Sequence, residues 1–173
     1  MRGKTFGLKA DVSKAHRRYL HRRRDWGLMA CVLEDPELVW LNKVGTFGMG
    51  CASYWWGRLF SVVCRCALAL ALRDPVFQLL FADDVNWLGK GRDGMKGILI
   101  GLFFMSVVGT PFCWVKVNGG FVYEWIGYEL DLEKHALGIS QDRAEWLIHW
   151  IEAVLAAGTV LVRDLVAVLG RLS

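Results

Sequence analysis

Apolar positions along the chain fall into short runs with strand composition and longer runs with helical spacing, separated by turn residues. Residues 5–12, TFGLKADV, read as a strand that closes on Asp11. In WGLMACVLEDPELVWLNKV, two apolar runs (26–33 and 38–44) flank Glu34-Asp35-Pro36-Glu37, a hairpin signal. TFGMG (46–50) is a Gly-rich loop, and 51–72 predicts a long helix ending before Asp74-Pro75. A strand over 76–82, a turn at Asp83-Asp84 and a short strand over 85–88 follow, then a helix over 92–108 and a strand over 111–117. Asn118-Gly119-Gly120 predicts a tight turn closing a hairpin onto FVYEWIGYELDL, residues 121–132. Ser140 stands at the N-cap of a helix over 141–157, where Ala144, Leu147, Ile148, Ile151, Val154 and Leu155 sit at helical spacing. Gly158 ends that helix, and a last one covers about 161–171. The order predicts an α+β class: an antiparallel sheet shared by the first strand and the Asp-Asp hairpin, helices packed on one face, and a C-terminal helical pair.

Composition supports a folded chain. Its 173 residues suit one domain, or one with a small appendage, and a 54% hydrophobic content with nine Trp and nine Phe excludes wholesale disorder. Five cysteines without framework or zinc spacing point to free thiols in a reducing compartment. The start MRGKTFGLKADV has no apolar signal core, so an intracellular location, cytoplasmic or nuclear, is expected. Residues 97–115 hold nineteen positions without a charge, but Gly109, Thr110 and Pro111 interrupt them; a core helix and a strand are expected, and no membrane partner.

Charge is distributed unevenly. Residues 1–24 hold nine Lys/Arg against one acid, Asp11, whereas 25–173 hold twelve against sixteen. The basic end, with Arg17, Arg18, Arg22, Arg23 and Arg24, suits a polyanion such as nucleic acid, or forms a solvated cationic face. Arg58 and Arg65, seven apart on one helix face, suit phosphate or lie over the core; Trp55 and Trp56 read as core anchors rather than stacking platforms.

Asp83 and Asp84 pose the sharpest chemical question. Two unit charges about 4 Å apart repel by ~4 kcal/mol at an effective dielectric near 20. A solvated turn, a basic partner or a divalent cation can compensate. Asp11 lies 72 residues earlier at the end of a predicted strand, where it either pairs with Lys9 or Lys14 or joins the other two acids. Three converging carboxylates suit Mg²⁺ or Mn²⁺, and two such ions about 4 Å apart serve phosphoryl transfer.

Five segments in order resemble the palm of reverse transcriptases, especially those of retrotransposons. DVSKAH (11–16) is similar to the first motif, an aspartate followed by Ala15 and a gating residue. TFGMGCASYWW (46–56) resembles the second, FADD (81–84) the third, and Lys116 stands where the fourth has its lysine. WIGYELDL (125–132) resembles the primer-grip segment, and 138–172 the connection to the thumb.

The resemblance implies that Asp11, Asp83 and Asp84, with the Val12 carbonyl, bind two Mg²⁺ or Mn²⁺ ions, and that Lys116 protonates or neutralises pyrophosphate. It implies substrate contacts from Val12, Ala15, His16, Phe47, Gly48 and Arg58. Nucleic-acid contacts fall to the arginines at 17, 18, 22, 23 and 24, and to Trp125 and Gly127. The family usually has an aromatic ring at the gate; the His16 imidazole departs from it and leaves deoxynucleotide selectivity open. Residues 1–132 would form the palm with fingers largely absent, and 133–173 the start of thumb or connection. Partners would be an RNA or DNA template with primer, deoxynucleoside triphosphates, and the fingers and remaining thumb of a longer retroelement polyprotein. The alternative is a catalytically silent, nucleic-acid-binding remnant of such a polymerase.

Overall fold

In a computed structural model describing residues 3–46, 48–71 and 74–172, the chain runs β1 (Thr5–Asp11), β2 (Ala30–Val32), β3 (Val39–Leu41), α1 (Ala52–Leu70), β4 (Val76–Phe81), β5 (Asp84–Lys90) and α2 (Gly91–Val107). It continues through β6 (Asn118–Gly120), β7 (Val122–Trp125), β8 (Tyr128–Asp131), β9 (Ala136–Ile139), α3 (Gln141–Ala157) and α4 (Val162–Leu172). Single 3₁₀ segments cover Ala15–Arg18, Arg23–Met29 and Trp114–Lys116.

The main sheet is antiparallel, in the order β4-β5-β1-β6. Strand alternation gives its faces opposite roles. Leu8 and Ala10 sit opposite Trp87 and Val85 in the register, and this face meets the helices. Here Val85, Trp87, Phe60, Cys64, Ala67, Ile98 and Met105 form one buried cluster. Burying each larger side chain of this set contributes roughly 1.5–3 kcal/mol. Gln78 ties the layers together: its amide donates to the Cys64 carbonyl of α1 at 3.2 Å and its oxygen accepts from the Trp87 indole at 2.7 Å. The other face carries Gly7, Lys9 and Asp11 opposite Leu88, Asn86 and Asp84. The fold class is the α+β one expected.

Four local expectations change. Residues 111–117 do not form a strand; Phe112 makes one bridge to Val12, and the chain then closes a 3₁₀ turn through Lys116 N–H→Cys113 O at 2.8 Å. Asn118-Gly119-Gly120 is not a hairpin turn but strand β6, because two glycine backbones meet closely: a Cβ on Gly119 would lie 2.3 Å from the Gly7 carbonyl. The hairpin forms later, at Ile126-Gly127, where φ values of 45° and 83° are those a two-residue turn between twisted strands requires. In the N-terminal hairpin, 23–29 is 3₁₀, so only 30–32 pair with 39–41.

Beyond the main sheet, β7-β8-β9 form a second one that runs across residue 132, where the sequence suggests a division. Ser140 stands at the N-cap of α3 without a side-chain capping bond, and Gly158 (φ 67°) ends the helix. The apolar stripe of α3 is largely uncovered: Ile148, Ile151 and Leu155 are exposed. Among the described residues no helix is long and apolar enough to cross a membrane.

Candidate active site at the carboxylate end of the sheet

Pairing sets Asp11 directly opposite Asp84, and Asp83 lies in the two-residue turn between Phe81 and Asp84. Ala82, first in that turn, has φ 51°, in the left-handed region where glycine is the usual occupant. Tertiary contacts hold it there. The buried Trp56 indole of α1 donates to the Ala82 carbonyl at 3.1 Å. Val12 N–H donates to the Asp83 carbonyl at 3.1 Å, Cys113 N–H to the Asp11 carbonyl at 2.8 Å, and Ser13 N–H to the Pro111 carbonyl at 2.9 Å. Both carboxylate-bearing ends are therefore fastened by backbone on either side.

Charge is crowded here. Burial, then the neighbouring Asp11 and Asp83, hold the Asp84 carboxyl above its usual range, and Lys9 and Lys116 oppose them. Lys116 Nζ donates to Asp11 Oδ2 at 2.8 Å; the Asp11 side chain is 16% exposed and that of Lys116 67%. That bond and the Asp11 charge raise the Lys116 pKa, so its ammonium is protonated at neutral pH. The 3₁₀ turn at 114–116 is what brings Lys116 back over the strand end. An open cleft of about 400 Å³ lies between Lys9, Asp11, Asp84, Lys116 and Asn118.

Three acids lie within electrostatic reach, Asp84 raised first by burial and then by the other two, and their oxygens are donors of the kind a hard divalent cation takes. Among the described residues no three His, Cys, Asp or Glu side chains stand as a preformed metal group, and Lys116 holds the Asp11 carboxylate that a cation would need. The antiparallel bridge to Phe112 turns the Val12 carbonyl away from Phe112, toward the Asp83 side where its N–H already bonds.

Other expected site residues are distributed unevenly. The Val12 and Ala15 side chains are core, 1% and 3% exposed. His16 is half-buried in the first 3₁₀ segment, and its carbonyl would lie 2.1 Å from a Cβ on Gly45. Gly48 is exposed with φ 88°, and Phe47 lies outside the described residues. Arg58 is not brought to the carboxylates: it sits on the outer face of α1, bonded to Tyr54 Oη at 3.1 Å. Arg17, Arg18, Arg22, Arg23 and Arg24 are exposed. Trp125 is half-buried, and the open side of Gly127 is filled by Arg143, which donates to the Gly127 carbonyl at 3.1 Å.

Three residues that hold the site escape a reading of the chain. Trp56 and Trp55 look alike in sequence, yet Trp56 clamps the Ala82-Asp83 turn and Trp55 is 53% exposed. Asn86 is fully buried two residues after Asp84 and accepts from the Tyr123 hydroxyl at 2.7 Å. Tyr123 in turn lies over Gly7, where any Cβ would meet it at 2.3 Å. This peg joins the β7–β8 hairpin to the carboxylate face. A buried Asn within a strand pattern is the one signal that could have flagged it.

The backbone matches solved polymerases. Foamy viral protease-reverse transcriptase in complex with an RNA/DNA hybrid superposes with a TM-score of 0.74 at 12% identity, over 99% of this chain and 21% of that one. The dRH form of the foamy viral protein, in complex with double-stranded DNA, gives 0.71 at 11% identity, over 99% and 27%. Apo telomerase from Candida tropicalis, truncated from its C-terminal domain, gives 0.58 at 10% identity, over 80% and 36%. The fold is reverse-transcriptase-like. The chain spans 21–36% of the length of these three structures. No protein-family model matches the sequence, and no curated protein matches it.

Proposed function

We propose that the chain is the palm of a reverse-transcriptase-like polymerase from a retroelement polyprotein, with the start of thumb or connection following the β7-β8-β9 sheet, from α3 onward. Its reaction is template-directed nucleotidyl transfer. The observation that supports this best is the register placing Asp11 opposite Asp84 with Asp83 in the adjoining turn, in a fold shared with reverse transcriptases. The foamy viral structures hold RNA/DNA hybrid and double-stranded DNA; a primed RNA or DNA template and deoxynucleoside triphosphates are the corresponding partners here.

Asp11, Asp83 and Asp84, with the Val12 carbonyl, would hold two Mg²⁺ or Mn²⁺ ions. When bound, such ions make a hydroxyl a better nucleophile and neutralise charge on a leaving phosphate. In the reaction the primer 3′-hydroxyl gives up its proton to solvent and its oxygen forms a bond to the α-phosphorus as the bond from that phosphorus to the bridging oxygen breaks, and pyrophosphate leaves. The Lys116 ammonium, freed from Asp11, has a proton to give to that leaving group. Trp56, donating to the Ala82 carbonyl, positions the turn that carries Asp83.

Primer extension on an RNA template with Mg²⁺ tests the reading, using this chain and a version extended upstream. Asp83→Asn is expected to lower extension by more than about a hundredfold, beyond what loss of outer-shell support around a metal costs. Undiminished extension by Asp83→Asn would sink the mechanism.

A further inference from the structure

On the outer face of α1, a groove of about 1180 Å³ runs between the helix and the segment following the first 3₁₀ turn. It shares no residue with the carboxylate cleft. Helical spacing explains its location: Ala52, Trp56, Phe60, Cys64 and Ala67 face the core, so Tyr54, Arg58 and Arg65 point the other way. The groove exceeds the 300–1,000 Å³ typical of small-ligand pockets and is open along its length, which suits a polymer.

Its lining combines cations and aromatic rings with the exposed apolar side chains of Leu20, Leu59 and Val62. Arg22, Arg58 and Arg65 face it, with Asp25 the acid among them, and Asp25 lies 3.6 Å from Arg24. Among the described residues neither Arg22 nor Arg65 has a carboxylate within ion-pair distance. Tyr54 and Trp55 present rings that are 56% and 53% exposed, and Arg58 stacks 5.5 Å from the Tyr54 ring centre. Tyr19 Oη and His21 Nε2 are buried at the groove and have no hydrogen-bond partner among the described residues. Buried polar groups ordinarily have one.

We infer that this groove binds single-stranded nucleic acid, separately from any primer–template at the carboxylates. Guanidinium groups meet phosphates, and open rings stack on unpaired bases, a combination that serves single strands without sequence preference. A duplex offers phosphates but hides its base faces, leaving Tyr54 and Trp55 unused. A purely acidic chain such as poly-glutamate would satisfy the arginines but offers no aromatic face to stack on the rings.

The experiment is fluorescence anisotropy of a labelled single-stranded RNA of about twelve nucleotides, with its duplex and poly-glutamate as competitors. Arg58→Glu/Arg65→Glu is expected to weaken binding at least about tenfold. It should also lower the slope of log K against log salt by about 1.4, the share of two phosphate contacts on a single strand. Arg92→Glu/Arg163→Glu, an equal charge change outside the groove, should cost much less, and Trp55→Ala should weaken binding several-fold. Photo-cross-linking of thiouridine RNA to the unaltered chain should mark Tyr54 or Trp55, which tests the site even where a variant fails to fold. Equal loss in the two double variants, equal competition by duplex or poly-glutamate, or cross-links elsewhere only would overturn the inference. Because the groove excludes the carboxylates, Asp83→Asn should leave this binding intact, so failed polymerisation and failed strand binding are separate results.

Discussion

Ala82 and Asp84 store the tension of the carboxylate end. Ala82 has a left-handed backbone that costs an L-residue about 1–2 kcal/mol. Ala82→Gly should remove it, less the entropy glycine adds to the unfolded chain, and raise Tm by ~1–3 °C in a thermal melt. Asp84 acts through charge. Its folded pKa lies above the unfolded value, so its ionised form opposes folding above that pKa, and the penalty fades as pH falls through it. With chelator present, Asp84→Asn should melt higher than the parent at pH 7. The gap should close on acidification toward pH 4, and added Mg²⁺ should narrow it at pH 7. A gap that widens on acidification would refute the assignment.

Between elements, contacts depend on missing side chains. Gly7 makes room for Tyr123, whose hydroxyl reaches Asn86, so the β7–β8 hairpin is pegged beside Asp84. Gly7→Ala should overpack this contact by about 1–3 kcal/mol and lower Tm by roughly 3–10 °C. In a Tyr123→Ala background the same change should cost far less, and the double-mutant cycle measures that coupling. Gly89 and Gly94 do similar work between β5 and α2, where a Cβ on Gly89 would stand 2.5 Å from the Gly94 carbonyl. The Cys64 thiol, pushed up to about 12 by burial, stays protonated and serves as packing.

For the molecule as a whole, the uncovered apolar surface is the main consequence. Ile148 and Leu155 on α3 and Leu165, Val166 and Leu169 on α4 are exposed on helices whose sequence has the stripe of a packed pair. Exposed apolar area of this kind marks a surface meant to be covered. The 173-residue chain should therefore associate with rising concentration in sedimentation velocity, and Ile148→Lys/Leu155→Lys should reduce that association without lowering Tm by more than a few degrees.

Local pattern sufficed wherever a neighbour in sequence decides the outcome. The strand ending at Asp11, the helices, the strand–turn–strand around Asp83-Asp84 and the stop at Gly158 follow from periodicity and turn chemistry. What the chain order could not determine were contacts between distant segments of similar composition. Trp55 and Trp56 differ by one helical step, and only packing against the Ala82-Asp83 turn buries one of them. Asn118-Gly119-Gly120 has the residues of a turn, yet its glycines let it lie against β1 as a strand. Arg58 follows the segment 46–56 by two residues, but helix phase directs it to the groove rather than the acids. Lys116 reaches Asp11 because a 3₁₀ turn replaces the expected strand. Local stretches thus state which groups are available, and the sheet register and helix phase decide which of them meet.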